Sequence, residues 1–82
     1  MKLTLEISLY PLEPEFKSII KAFIDKLKSY PSLKVQSNNV STQISGEYDT
    51  VMDLLRSEVK PVLEAQPSVF VVKFLAGDKL AD

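Results

Sequence analysis

Leucine or isoleucine alternates with polar residues near the start of the chain. Positions 3, 5, 7 and 9 are Leu or Ile, and the positions between and after them are Thr4, Glu6, Ser8 and Tyr10. Because successive side chains of a strand point to opposite faces, this period of two predicts a strand over roughly residues 2–9. One face of that strand is apolar, and the other carries a carboxylate, two hydroxyls and an aromatic ring.

Two later segments repeat apolar residues at helical spacing. The first set is Phe16, Ile19, Ile20, Phe23, Ile24 and Leu27, and the second is Val51, Met52, Leu55, Val59, Val62 and Leu63. Steps of mostly three and four predict amphipathic helices. We expect the first helix to begin near Pro14 and to end near Ser29. We expect Asp49 to cap the second helix, which should kink or stop near Lys60 because Pro61 lacks a backbone N–H.

Three more strands are predicted from the remaining apolar positions. Residues 33–37 and 40–45 alternate weakly around Asn38-Asn39, a pair that favours left-handed turn conformations and a tight hairpin. Residues 69–75 form the last strand. That strand is apolar at both parities, which is typical of a strand covered on both faces.

The order strand, helix, strand, strand, helix, strand predicts an α+β ferredoxin-like βαββαβ sandwich, with one domain over residues 1–82. Right-handed crossovers place strands 1 and 3 at the centre, giving a four-stranded antiparallel sheet of order 4-1-3-2 with two helices on one face. The side chains expected to face the helices are Leu3, Leu5, Ile7, Leu9, Val40, Thr42 and Ile44. Those expected on the helix-free face are Glu6, Ser8, Tyr10, Ser41, Gln43 and Ser45.

The amino-acid composition of the chain excludes several classes of function. The chain has 82 residues, neither Cys nor His, and a net charge of −1. Thiolate chemistry, the commonest general base and the usual zinc ligands are therefore excluded. The near-neutral charge argues against nucleic acid and anionic membranes as partners, and no signal peptide or membrane-spanning run is evident. We expect a small cytoplasmic protein that self-associates.

The segment Ser41-Thr42-Gln43-Ile44-Ser45-Gly46-Glu47-Tyr48-Asp49-Thr50-Val51-Met52 resembles the YkoF-like thiamin- and hydroxymethylpyrimidine-binding domains. Their pattern is close to S-T-Q-[VI]-x-G-[ED]-Y-[DE]-x-V-M. The stretches Ile7-Ser8-Leu9-Tyr10-Pro11-Leu12 and Pro67-Ser68-Val69-Phe70-Val71-Val72-Lys73 are similar to that family's first and last strands.

This resemblance implies a ferredoxin-like unit that binds thiamin or its hydroxymethylpyrimidine precursor without catalysis, with neither a metal nor a cofactor. Some members carry two such units in one chain, so a homodimer or a dimer of dimers would complete the site here. The ligand-binding residues expected are Glu6, Ser8, Tyr10, Ser41, Gln43 and Tyr48. A packing role for Tyr48 stays open.

Two other functions also stay open. The domain could serve only structural or regulatory oligomerisation through its helix-free face. An enzyme that uses Glu6 as a base is the third hypothesis, for which no second catalytic group is evident.

Overall fold

The computed structural model describes residues 1–80, so the domain predicted over residues 1–82 extends two residues beyond the described chain. Within residues 1–80 the elements are β1 (Lys2–Pro11), α1 (Phe16–Lys28), β2 (Lys34–Ser37), β3 (Thr42–Glu47), α2 (Tyr48–Ala65) and β4 (Ser68–Ala76). Their order is the predicted one. Neither helix of this described part is long and apolar enough to cross a membrane.

The sheet has the order β2-β3-β1-β4, and all its neighbouring strands are antiparallel. This confirms the ferredoxin-like α+β fold and the central position of strands 1 and 3. The register places Glu6 opposite Gln43 of β3 on one side and opposite Lys73 of β4 on the other. Strand pairing therefore decides which polar side chains become neighbours on the helix-free face.

The core lies between the sheet and the two helices. Its buried members are Leu3, Leu5, Ile7 and Leu9 of β1, Ile44 of β3, Phe23 and Leu27 of α1, and Val51 and Leu54 of α2. The ring of Phe23 packs against that of Phe70, with 5.3 Å between centroids. Burying one apolar face of each element is the main source of stability in so small a domain.

Helix α2 differs from the prediction at its start, and it does not stop at Pro61. Glu47 occupies the N-cap position, so the prediction that Asp49 caps the helix was wrong, and Asp49 lies in the first turn. There its negative charge still complements the positive end of the helix dipole. Pro61 lies inside the helix, which continues to Ala65. Val62, which packs against the core, holds this last part of the helix in place.

The hairpin between β2 and β3 is wider than predicted. The Asn38 side chain accepts hydrogen bonds from the N–H groups of Val40 and Ser41, at 2.8 and 3.1 Å. Among residues 1–80, positive φ angles occur at Gly77 alone, so the expected left-handed Asn conformations are not used. The expectation that Val40 faces the helices was also wrong, since Val40 is 81% exposed in the loop.

The segment 77–80, called the tail below, folds over part of the helix-free face. Gly77, with φ of 88°, reverses the chain after β4, and the Thr4 hydroxyl donates to its carbonyl at 2.8 Å. The same hydroxyl accepts from the Lys79 N–H at 2.9 Å. Asp78 accepts from the Ser45 hydroxyl at 2.8 Å, and Leu80 is buried. The end of the helix-free face that contains Thr4 and Ser45 is thus covered by the chain itself.

Candidate functional site

Glu6 lies at the middle of the polar row on the uncovered part of the sheet. Its carboxylate accepts a hydrogen bond from the Ser41 hydroxyl at 3.1 Å, and Ser41 in turn accepts one from the Gln43 amide at 2.8 Å. Lys73 Nζ lies 3.4 Å from the other carboxylate oxygen. Two central strands, an edge strand and the hairpin loop therefore converge on one carboxylate.

These neighbours keep Glu6 ionised. The Ser41 hydrogen bond, followed by the hydrogen bond and charge of Lys73, lowers the pKa of the Glu6 carboxyl below its ordinary value. The Glu6 side chain remains 35% exposed. An ionised carboxylate offers about four acceptor positions on its two oxygens. Ser41 and Lys73 occupy two of these positions, and because the side chain is partly exposed a donor from solution can reach the carboxylate.

A groove of about 220 Å³ runs beside Glu6 on the helix-free face. Its lining residues are Glu6, Ser8, Tyr10, Val40, Ser41, Val71 and Lys73. Strand geometry explains the arrangement, because Glu6, Ser8 and Tyr10 alternate along β1 while Val71 pairs with Ser8. We call this cavity the Glu6 groove.

The predicted site residues fall into two places. Glu6, Ser8, Tyr10 and Ser41 line the Glu6 groove, and Gln43 is hydrogen-bonded to Ser41 beside it. Tyr48 lies at the opposite end of the sheet, where its N–H donates to the Met1 carbonyl at 2.9 Å. Glu6 is five residues further along the chain than Met1. At a strand rise of ~3.3 Å per residue, the two residues are ~17 Å apart. The structure does not bring Tyr48 to the groove.

Sequence reasoning missed three members of the groove wall, namely Lys73, Val71 and Val40. The sequence predicted the last strand but did not assign the side that carries Val71 and Lys73 to either face of the sheet. The β1–β4 register, which pairs Glu6 with Lys73 and Ser8 with Val71, was the signal that could have placed both. The loop conformation that brings Val40 to the groove has no comparable signal in the sequence.

Exposed apolar side chains surround the Glu6 groove. Tyr10, Val40, Val69 and Val71 are each exposed by roughly half or more. The Val69 and Val71 side chains explain why β4 is apolar at both parities: Phe70 and Val72 pack against the core, while the two valines remain exposed. A contiguous apolar border of this kind around a polar groove is typical of a surface that meets another molecule.

The fold and the groove together define a class of small ferredoxin-like α+β domain with a carboxylate-centred groove on its helix-free face. The chain belongs to the YKOF-related family, whose model matches residues 2–75. The family resemblance of the sequence is thereby confirmed. A comparison with curated proteins found no match.

Solved structures share this fold. A protein from Streptococcus pneumoniae is 20% identical, with a TM-score of 0.85 over 99% of this chain and 92% of that one. A proposed thiamine biosynthesis/salvage protein from Thermotoga maritima is 19% identical, with a TM-score of 0.82 over 94% of this chain and 85% of that one. A hypothetical protein from Methanocaldococcus jannascii is 24% identical, with a TM-score of 0.77 over 98% and 84% of the two chains.

Proposed function

We propose that this domain binds thiamin or its hydroxymethylpyrimidine precursor, without catalysis, in the Glu6 groove. The observation that carries the proposal is the Glu6 carboxylate, which is held by Ser41 and Lys73 inside a groove walled by Tyr10 and Val71. Family membership and the likeness to a proposed thiamine biosynthesis/salvage protein support the choice of ligand.

The groove chemistry matches an aminopyrimidine. The exocyclic amine of such a ring is a donor, and Glu6 is an acceptor whose charge strengthens the hydrogen bond. The ring nitrogens are acceptors, and the Ser8 hydroxyl is a donor that lines the same groove. The flat ring would lie against Val71 and the exposed ring of Tyr10.

A role in binding fits the residue types better than catalysis does. The chain contains neither His nor Cys. Glu6 is held in its ionised form by a hydroxyl and an ammonium group, with its pKa lowered rather than raised toward neutrality. A general base works best when its pKa lies near the operating pH. A carboxylate with a lowered pKa is better suited to hold a donor than to take a proton from it.

A second copy of the chain would complete the site. The apolar border formed by Tyr10, Val40, Val69 and Val71 is exposed in the single chain, and the groove it surrounds is open on one side. Stacking of a second copy on this border would bury the valines and close the groove. The same border favours the alternative function, an oligomerisation domain that has no small-molecule ligand.

Isothermal titration with hydroxymethylpyrimidine and with thiamin tests the proposal. We expect sub-millimolar binding, and we expect the substitution Glu6→Gln to weaken it about tenfold or more because a charge-assisted hydrogen bond becomes a neutral one. Glu64→Gln makes the same chemical change at an exposed position on α2 and should leave affinity unchanged.

Two outcomes would count against this function. Full affinity in Glu6→Gln would remove the carboxylate from the site. If neither ligand binds at sub-millimolar concentration while sedimentation shows a defined oligomer, the oligomerisation function is the correct one.

A further inference from the structure

A second cavity lies between α1 and the start of the β2–β3 loop. Its volume is about 650 Å³, and none of its described lining residues lines the Glu6 groove. Three lysines of α1 contribute to it, together with three polar residues at the end of β2 and in the loop. These residues are Lys17, Lys21, Lys28, Ser37, Asn38 and Asn39. We call this cavity the lysine cleft.

Helical spacing brings the three lysines to one face of α1. They follow one another at steps of four and seven residues, which correspond to about one and two turns. Ile20 and Ile24 lie between them and supply the apolar part of the lining. At ~1.5 Å per residue the lysines span ~16 Å of helix, a length that one small anion with a single charge cannot cover.

Two of the three lysines are free to meet an anion. Within residues 1–80, the side chains of Lys17 and Lys28 make neither an ion pair nor a hydrogen bond. Lys21 Nζ pairs with an Asp25 carboxylate oxygen at 2.8 Å and keeps two of its three N–H donors. Asp25 is the one acid among the described lining residues, and Lys21 offsets its charge. The cleft therefore has two uncompensated positive charges.

The β2–β3 loop adds donors of its own. The Asn38 Oδ1 atom accepts from the N–H groups of Val40 and Ser41, so the Nδ2 group is the part of that side chain that remains for a ligand. Asn39 beside it is exposed and lines the same cleft. An anion in the cleft thus meets ammonium groups from the helix and amide donors from the loop.

The positive charge of the cleft is local to α1. This helix carries four lysines and one aspartate, a net charge of +3, whereas α2 carries four acidic and two basic residues, a net charge of −2. The whole chain has a net charge of −1. Charges of one sign that line a concave surface raise the local concentration of ions of the opposite sign. The near-neutral total charge therefore conceals a face that attracts anions.

We infer that the lysine cleft binds an anion that carries two or more phosphate groups. Lysine ammonium groups act on phosphate oxygens as separate point charges, and three of them suit a ligand with several anionic groups. The volume of about 650 Å³ lies within the ~300–1,000 Å³ of small-molecule sites. The inference is independent of the proposed function, since the cleft and the Glu6 groove share no described lining residue.

Titration of inorganic diphosphate into the isotope-labelled protein, in magnesium-free buffer of low ionic strength, tests this. We expect a dissociation constant below ~1 mM. NMR shift changes should be concentrated on α1 and on residues 37–39, and the affinity should fall as the salt concentration rises. Orthophosphate has a single phosphate group and should bind about fivefold more weakly or worse, the scale of one exposed ion pair.

Two substitutions test the lysines themselves. Lys17→Gln and Lys28→Gln each remove one uncompensated ammonium group, and each should weaken diphosphate binding about fivefold. Lys60→Gln is the matched control, because Lys60 is an exposed lysine of α2 that does not line the cleft. It should leave the affinity unchanged, and circular dichroism of all three variants checks that they are folded.

Four outcomes would overturn the lysine cleft as a site. They are the absence of diphosphate binding below ~1 mM, shift changes that lie outside the cleft, equal affinity for orthophosphate, and equal weakening by Lys60→Gln and Lys17→Gln. None of them bears on the proposed function, which is overturned by the failure of thiamin and hydroxymethylpyrimidine to bind.

Discussion

Replacement of Thr4 by valine should release the tail from the sheet. The Thr4 side chain is 2% exposed, and its hydroxyl makes two hydrogen bonds to the tail: it donates to the Gly77 carbonyl and accepts from the Lys79 N–H. Valine has nearly the same shape but lacks the hydroxyl. The substitution therefore removes both hydrogen bonds without opening a cavity.

The expected effect follows from these two contacts. A hydrogen bond contributes a net ~0.5–1.5 kcal/mol, so Thr4→Val should weaken docking of the tail by ~1–3 kcal/mol. Burial of a leucine side chain such as Leu80 contributes a comparable ~1.5–3 kcal/mol. Since ~1.4 kcal/mol is a factor of ten, the undocked form should become roughly five- to 100-fold more populated.

Residue-resolved hydrogen exchange measures this population. The Leu80 N–H is the best probe, because its acceptor is Asp78 and the substitution does not alter that bond directly. Its exchange should accelerate about fivefold or more if residues 78–80 detach as a unit. The Gly77 N–H bonds to the Lys2 carbonyl of β1 and should stay protected.

Thr42→Val is the control for this experiment. Thr42 is also buried, and its hydroxyl lies 3.0 Å from that of Ser37, away from the tail. It should leave Leu80 exchange unchanged. Wild-type protection of Leu80 in Thr4→Val, or equal acceleration in both variants, would refute the anchoring role of Thr4.

Two further predictions concern stability. The Ser45 hydrogen bond, followed by those from Lys34 and the Leu80 N–H, lowers the pKa of Asp78 from 3.8 to about 2. The folded state therefore gains stability from ionised Asp78 above pH ~4 and loses it as the pH falls from ~4 toward ~2. Chemical denaturation across that window should show a smaller loss for Asp78→Asn than for the wild type, and equal losses would contradict the assignment. In α2, replacement of the fully buried Leu54 by alanine should cost ~2–5 kcal/mol of unfolding free energy. Alanine at the half-exposed Leu63 should cost far less, and equal costs for the two variants would contradict the placement of the core.

The fold could be predicted because the spacing of apolar residues identifies the strands and helices, and their order along the chain allows few sheet topologies. Leu3, Leu5, Ile7 and Leu9 alternate without exception, and all four are buried against the helices. With β1 and β3 at the centre, parity alone also placed Glu6 and Gln43 as neighbours. Properties that depend on strand period and on the short list of allowed topologies can thus be deduced from one chain.

The parts that prediction missed depend on non-periodic contacts. The prediction assumed that the alternation of side chains in β3 continues back to Val40. Instead, the Asn38 side chain accepts a hydrogen bond from the Val40 N–H, and Val40 lies in a loop rather than in the strand. The tail spans four residues, too few for a period, and its anchors join Thr4 to Lys79 across 75 positions of sequence. Such long-range hydrogen bonds become visible only when the sheet is assembled.

The tail divides the polar, helix-free face of the sheet into a covered part and an exposed part. Thr4 and Ser45 pair across the central strands and are nearly inaccessible beneath the tail, whereas Tyr10, at the other end of β1, is about half exposed. Glu6 lies two positions from Thr4 along β1, at the boundary between these parts. A second copy stacked on the sheet would meet the tail at Thr4 and Ser45, and so we expect its contact to be restricted to the border around the Glu6 groove. Because the tail covers the end of the polar face at Thr4 and Ser45, the part around Glu6 is where the proposed ligand and a second copy would meet the sheet.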